Sequence, residues 1–134
     1  MEDRPSIWYR GLIAVGTAVA LNVVLFYAFV ALGVTLRVPA QMGSTELNDM
    51  TLPPVLVFTA LPALVTVVFA VILNRSTAKA RTVFSSVVVL VAFLSLLALL
   101  TLDSPTIDRV SQGLMHLVPA AALVALVSPV LRSE

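Results

Sequence analysis

Four long apolar runs divide the chain, and short polar segments separate them. The first run, residues 11–34, contains no charged side chain. As a helix, about 24 residues at 1.5 Å each extend roughly 36 Å, which is enough to cross the ~30 Å hydrocarbon core of a bilayer with some tilt. We therefore expect a retained membrane span, because the apolar region of a signal peptide is usually only about 7 to 15 residues long.

The second and third runs follow a polar segment at residues 35–53, which we predict to be an outer loop. The second span covers residues 54–73 and the third residues 82–102. Pro53 and Pro54 suit the start of a helix, where a missing N–H costs little. The outer loop is interpreted either as a lid folded over the mouth of the bundle or as a solvated connector.

The fourth run, residues 105–131, is the least apolar because it contains Gln112 and His116. Its start is marked by Ser104, predicted as the N-cap, and by Pro105, predicted as the first helical residue. The sequence therefore predicts one all-α domain over residues 1–134, an integral membrane four-helix bundle with up-down-up-down topology.

The distribution of Lys and Arg predicts the orientation of this bundle. With four spans, one side of the membrane would carry six basic residues and the other side two. The six are Arg4, Arg10, Arg75, Lys79, Arg81 and Arg132, and the two are Arg37 and Arg109. Short cytoplasmic loops are rich in Lys and Arg. We therefore predict that both termini lie in the cytoplasm and that the protein is a multi-pass protein of the inner (cytoplasmic) cell membrane.

Composition agrees with the lipid bilayer as the main surrounding and excludes several functions. Hydrophobic residues make up 60% of the chain, charged residues 11%, and the mean hydropathy is +1.07. The net charge of +1 argues against nucleic acid as a partner, which requires clustered basic residues. There is no Cys and no catalytic or phosphate-binding motif, so we expect no metal, no cofactor and no enzymatic activity.

One polar residue from each predicted helix lies at a similar depth. Tyr27, Thr59 and Ser95 are five to seven residues from the outer end of their helix, and His116 lies six residues after Val110 in its own run, so all four are predicted to lie about 8 to 10 Å deep. The favoured interpretation is that these groups join the helices by hydrogen bonds. The alternatives are a polar cavity open to the outside, in which His116 binds a ligand or relays a proton, and ligation of a haem or pigment by His116.

Small residues follow one face of the first helix. At helical spacing this face contains Gly11, Ala14, Ala18 and Asn22, and Gly16 and Ala20 lie on an adjoining stripe. Small residues let helices approach closely, so this face is predicted to pack against another helix, within the chain or in a partner. Asn22 is interpreted as an interhelical hydrogen-bonding residue, because a buried carboxamide must find a partner.

Two prolines within the spans predict kinks near this polar layer. Thr59 lies three residues before Pro62, and His116 three before Pro119. Each proline removes a backbone hydrogen bond and is expected to free a carbonyl beside the layer.

Several short stretches resemble an uncharacterised family of small bacterial four-helix membrane proteins, a domain of unknown function. The stretches that resemble it are Met115, His116, Leu117 and Val118 in the fourth helix, Asn22 in the first, and residues 59–62. The resemblance covers most of the chain and implies bacterial origin and four spans, but no activity.

The leading functional hypothesis is a non-enzymatic membrane protein that forms a homo-oligomer or serves as an accessory subunit of a larger membrane complex. The alternative is a small transporter or ligand-binding membrane protein that uses the outer-half polar cavity around His116.

Overall fold

A computed structural model describes residues 6–40, 44 and 46–133 of the chain. The elements are α1 (Ile7–Ala31), β1 (Arg37–Pro39), β2 (Leu47–Asp49), α2 (Leu52–Ser76), α3 (Ala80–Leu99) and α4 (Thr106–Val127), with a short 3-10 turn at Ser128–Val130. The predicted all-α four-helix bundle is confirmed, and a small β-hairpin is added to it. Arg4 and the loop residues Gln41, Met42 and Gly43 lie outside the described residues.

Local capping interactions fix both ends of α1, which is shifted from the predicted 11–34. At its start the Ser6 hydroxyl oxygen accepts a 3.2 Å hydrogen bond from the Tyr9 amide. At its end Gly33 takes a positive φ of 77°, and the Val34 amide donates to the Phe29 carbonyl at 3.0 Å. This Schellman turn needs a left-handed residue, which glycine supplies without a Cβ penalty, so the helix ends at Ala31.

The predicted start of the fourth helix is wrong by one residue. Pro105 has an extended ψ of 147°, so it is the N-cap, and Thr106 is the first helical residue. The Pro105 carbonyl accepts from the amides of Asp108 and Arg109. The Ser104 hydroxyl therefore does not act as the N-cap, and its buried oxygen has no hydrogen-bond partner in the described chain.

The helices pack as a ring in which α1 contacts α2 and α4, and α3 contacts α2 and α4. The start of α1 and the end of α4 lie at one end of the bundle, here called the terminus end, and the opposite end carrying the hairpin is called the hairpin end. All four helices are long and apolar enough to span a membrane. Their outer surfaces expose large apolar side chains, among them Leu12, Val24, Val57, Val65, Val89, Val91, Val110 and Leu114.

The outer segment forms an antiparallel hairpin that is anchored to the bundle. Arg37 pairs with Asp49 and Pro39 with Leu47. Below this ladder the Met50 amide donates to the Leu36 carbonyl at 2.7 Å, and Leu36 is only 3% exposed. Leu36 packs in an apolar cluster with Phe26, Val55 and Met115. The described part of this segment is therefore held against the hairpin end.

Candidate ligand-binding site

Asn22 is the centre of a polar contact between three helices. Its side chain is 2% exposed. The Nδ2 group donates one hydrogen bond to the Thr59 hydroxyl of α2 and another to the Met115 carbonyl of α4, both at 2.9 Å. The predicted interhelical role of Asn22 therefore corresponds to contacts in the structure, and these contacts join α1 to both of its neighbours.

Pro119 explains why the Met115 carbonyl is available to Asn22. In a regular helix this carbonyl would accept from the amide four residues later, and proline has no N–H. The Asn22 amide supplies the missing donor from the neighbouring helix. The carbonyl freed by the proline belongs to Met115 and not to His116, and it is satisfied inside the bundle.

Thr59, Ser95 and His116 line one groove between α2 and α3, whose floor is formed by α4. The groove has a volume of about 430 Å³. These three residues lie toward the hairpin end of the groove, whereas Phe69, Val87 and Leu123 line the part nearer the terminus end. The remaining walls are mostly apolar, as is usual for small-molecule sites.

Tyr27, the fourth member of the predicted layer, is not brought to this groove. Its side chain is 54% exposed, and its ring packs edge-on against Phe26 with centroids 5.4 Å apart. At about 100° per residue, five positions rotate Tyr27 roughly 140° around α1 from the inward-facing Asn22. Tyr27 was assigned to the polar layer from its depth alone. Its position around the helix axis turns it away from the groove.

A smaller cavity of about 80 Å³ lies between Asn22 and the base of the hairpin. It shares four lining residues with the groove: Phe58, Thr59, His116 and Pro119. Gln112 also lines it, and the Gln112 Nε2 group donates to the Arg37 carbonyl at 2.7 Å. The two spaces therefore adjoin, with His116 and Thr59 between them.

The sequence interpretation missed the buried polar face at the start of α4. Asp108, Ser111 and Gln112 are 3%, 1% and 5% exposed, respectively. Their spacing of three and four residues, continued by Met115, places them on one side of the helix. That periodicity was visible in the sequence and indicates that this face contacts protein.

The small-residue face of α1 packs within the chain. Gly11, Ala14 and Ala18 are buried together with Asn22. A Cβ placed on Gly11 would lie 2.8 Å from the Val67 Cγ2 atom, closer than side chains tolerate. In the structure this face therefore lies against α2 and α4 of the same chain. Gly16 on the adjoining stripe is exposed, and a Cβ there would meet nothing within 4 Å.

Within residues 6–40, 44 and 46–133, no group of three or more His, Asp or Glu side chains is arranged to hold a metal ion. In that part of the chain His116 therefore does not belong to a set of three such side chains, and metal sites usually use three or four protein ligands.

Four apolar helices with lipid-facing surfaces and a polar contact at their centre define a multi-pass integral membrane protein. The chain belongs to a family of unknown function (DUF6069), whose model matches residues 2–133. No curated protein and no solved structure matches the chain. The uncharacterised family expected from the sequence is confirmed.

Proposed function

We propose that this protein binds an amphiphilic small molecule of the bilayer, with its alkyl chain in the groove between α2 and α3 and its polar group beside His116. The observation that carries the proposal is the position of His116, which lies toward the hairpin end of an otherwise mostly apolar groove and also lines the adjoining cavity. His116 itself is exposed and so is accessible to a ligand. The role is binding without catalysis.

The chemistry of the groove favours an amphiphile over a polar solute. Thr66 and Ser95 also line it, but their hydroxyls donate to the carbonyls of Pro62 and Val91, both at 2.8 Å. These two hydroxyls therefore offer little to a polar ligand along the groove. An alkyl chain matches the apolar walls, and His116 remains as the polar contact at the hairpin end.

The proposal is tested by photolabelling the protein in lipid vesicles with alkyl-diazirine amphiphiles that carry an alcohol, a primary amine or a methyl ether. We expect saturable labelling of groove residues on α2 and α3, such as Phe69 and Val88. Ala92 lines the groove, so Ala92→Phe should fill it and abolish labelling. Ala98→Phe is the matched control, because Ala98 is exposed on the same helix.

Labelling that does not saturate, or that is equal in Ala92→Phe and Ala98→Phe, would contradict the proposal. Either result means that the probes only sample ordinary boundary lipid. Saturable labelling that is unchanged in His116→Ala would support ligand binding in the groove but contradict a role for His116.

We also propose that the terminus end faces the cytoplasm of a bacterial cell, in the inner membrane. Of the described basic residues, Arg10, Arg75, Lys79, Arg81 and Arg132 lie at this end, and Arg37 and Arg109 lie at the hairpin end. Because the sequence contains no Cys, single cysteines introduced by Ala78→Cys and Asn48→Cys, both at exposed positions, report the two ends directly. Labelling of Asn48→Cys, but not Ala78→Cys, by an impermeant maleimide on intact spheroplasts is expected. The reverse pattern would contradict this orientation.

Self-association is a second candidate function, supported by the exposed stripe of α1. Gly16 and Ala20 are one turn apart and both exposed, and the space over Gly16 is open. Such small residues let two helices pack closely in a bilayer. The stripe would join a second copy of the chain or, in an accessory role, another membrane subunit.

This second proposal predicts that Gly16→Leu with Ala20→Leu lowers self-association, measured by energy transfer between labelled copies in vesicles. Ala98→Leu on α3 is the control, since it adds the same bulk to another exposed position. Equal association of the parent protein and both variants would contradict a role for this stripe.

A further inference from the structure

The small cavity beside the groove contains a buried acceptor without a partner. Asn22 lines the cavity, and its Oδ1 atom has no hydrogen bond within the described chain. Buried polar atoms in proteins are normally paired, so an unpaired one points to a missing donor. The volume of about 80 Å³ leaves room for a few water-sized groups.

The orientation of the Asn22 amide is fixed by its neighbours. The Met115 carbonyl can only accept a hydrogen bond, so the Nδ2 end must face it. The second Nδ2 hydrogen is used by the Thr59 hydroxyl. Exchanging the two ends of the amide would place two oxygens together. Oδ1 is therefore the end of Asn22 that remains for another molecule.

Gln112 also lines the cavity, and its amide is oriented by a backbone carbonyl as well. Its Nε2 end donates to the Arg37 carbonyl, which likewise can only accept. The Oε1 end is left over. Two amides, each oriented by a backbone carbonyl, thus line a single cavity and leave two acceptor oxygens. The described lining contains no Asp, Glu, Lys or Arg.

We propose that this cavity binds a neutral hydroxyl headgroup, which donates a hydrogen bond to Asn22 Oδ1 or Gln112 Oε1. The inference rests on the proposed function, because the hydroxyl would belong to the amphiphile whose chain occupies the adjoining groove. Acceptor oxygens disfavour an anionic headgroup. An ammonium would lack a carboxylate in the cavity lining, and an unpaired charge is costly in a membrane interior.

The test compares matched ligands that differ only in the headgroup: dodecanol, methyl dodecyl ether and dodecylamine. Each competes with the diazirine alcohol for labelling of the intact protein in vesicles, at equal membrane concentration. Dodecanol is expected to compete roughly tenfold better than the ether, which has the same chain but no donor. Asn22→Leu should weaken this preference, because only the Gln112 acceptor remains, while competition that depends on the alkyl chain persists.

Gln112→Met is the second variant, in case Asn22→Leu does not fold, and it should weaken the preference in the same direction. Equal competition by dodecanol and the ether would overturn the hydroxyl assignment but leave chain binding in the groove intact. Stronger competition by dodecylamine would also overturn it, by showing selection for a cation. If no probe labels the protein saturably, the proposed function fails and the inference fails with it.

Discussion

The two ends of the bundle differ in the residues that lie between the four helices. At the terminus end, Val67, Phe84 and Val127 are fully buried in one apolar cluster, and Gly11 brings α1 into close contact with α2. At the hairpin end, the buried residues include Asn22, Thr59 and Gln112, and the packing leaves a cavity. Both ends contain apolar packing and hydrogen bonds, but they differ in where the hydrogen bonds lie. At the terminus end they join the helix ends, as between the Arg132 amide and the Asn74 side chain, whereas at the hairpin end Asn22 bonds within the buried interior between three helices.

This difference indicates how a short chain can hold a site open within a membrane. Helices in lipid associate through close packing and hydrogen bonds, because lipid tails provide little hydrophobic driving force between them. Tight packing at the terminus end fixes the helices relative to one another. The groove between α2 and α3 runs from Thr59 and Ser95 toward Phe69 and Val87, so it reaches the packed part of the bundle, and His116 lies toward its hairpin end.

The largest expected effect concerns the packed end. Gly11→Ala places a methyl group against Val67, so we expect destabilisation of about 1–3 kcal/mol, as for other overpacked cores. Gly16→Ala is the control: its Cβ meets nothing within 4 Å, so stability should be unchanged or slightly higher. Unfolding in mixed micelles of mild detergent and sodium dodecyl sulfate, followed by circular dichroism, measures both.

Rescue would identify Val67 as the cause. Adding Val67→Ala to Gly11→Ala should recover part of the loss, because it removes the γ-methyl groups that the new Cβ meets. If Gly11→Ala and Gly16→Ala behave alike, the contrast in packing between the two stripes of α1 is wrong.

The second prediction concerns the hydrogen-bonded end. Asn22→Ala removes both of its bonds and leaves the Met115 carbonyl unpaired, for an expected cost of about 1–2 kcal/mol. Adding Pro119→Ala restores an N–H four residues after Met115. The cost of Asn22→Ala should therefore be smaller in the Pro119→Ala background, measured by the same unfolding assay. Equal costs in both backgrounds would mean that the Met115 carbonyl is not the group that matters.

Hydropathy along the sequence was enough to predict the four helices. It was less informative about the direction in which each side chain points around its helix. Four apolar runs predict four helices, and Gly11, Ala14 and Ala18 predict a closely packed face. The same pattern at Gly16 and Ala20 is exposed, so small residues at helical spacing do not by themselves say which partner a face packs against. Tyr27 was assigned to the polar layer by depth, but its position around the helix turns it away. The role of Gln112 depends on where the hairpin folds back, which no local pattern contains.

A third, smaller effect tests how the hairpin is attached. Gln112→Leu removes the donor to the Arg37 carbonyl, and we expect a local loss of about 0.5–1.5 kcal/mol. The amides of Ala40 and Met50 donate to the backbone carbonyls of Glu46 and Leu36, respectively. Hydrogen exchange at these two amides should become faster. Arg37→Ala is a matched control because it keeps the backbone carbonyl. Similar acceleration in Arg37→Ala would show that the side chain, not this bond, holds the hairpin.

The smallest effect is expected from a polar contact at the terminus end. The hydroxyls of Ser85 and Ser128 lie 3.1 Å apart, between α3 and the 3-10 turn that follows α4. Here the surrounding apolar packing already joins the helices, so Ser85→Ala should cost only about 0.6 kcal/mol. Ser86→Ala, at an exposed position, should cost less. A loss for Ser85→Ala as large as that for Asn22→Ala would contradict the contrast between the two ends, since hydrogen bonds would then support both equally.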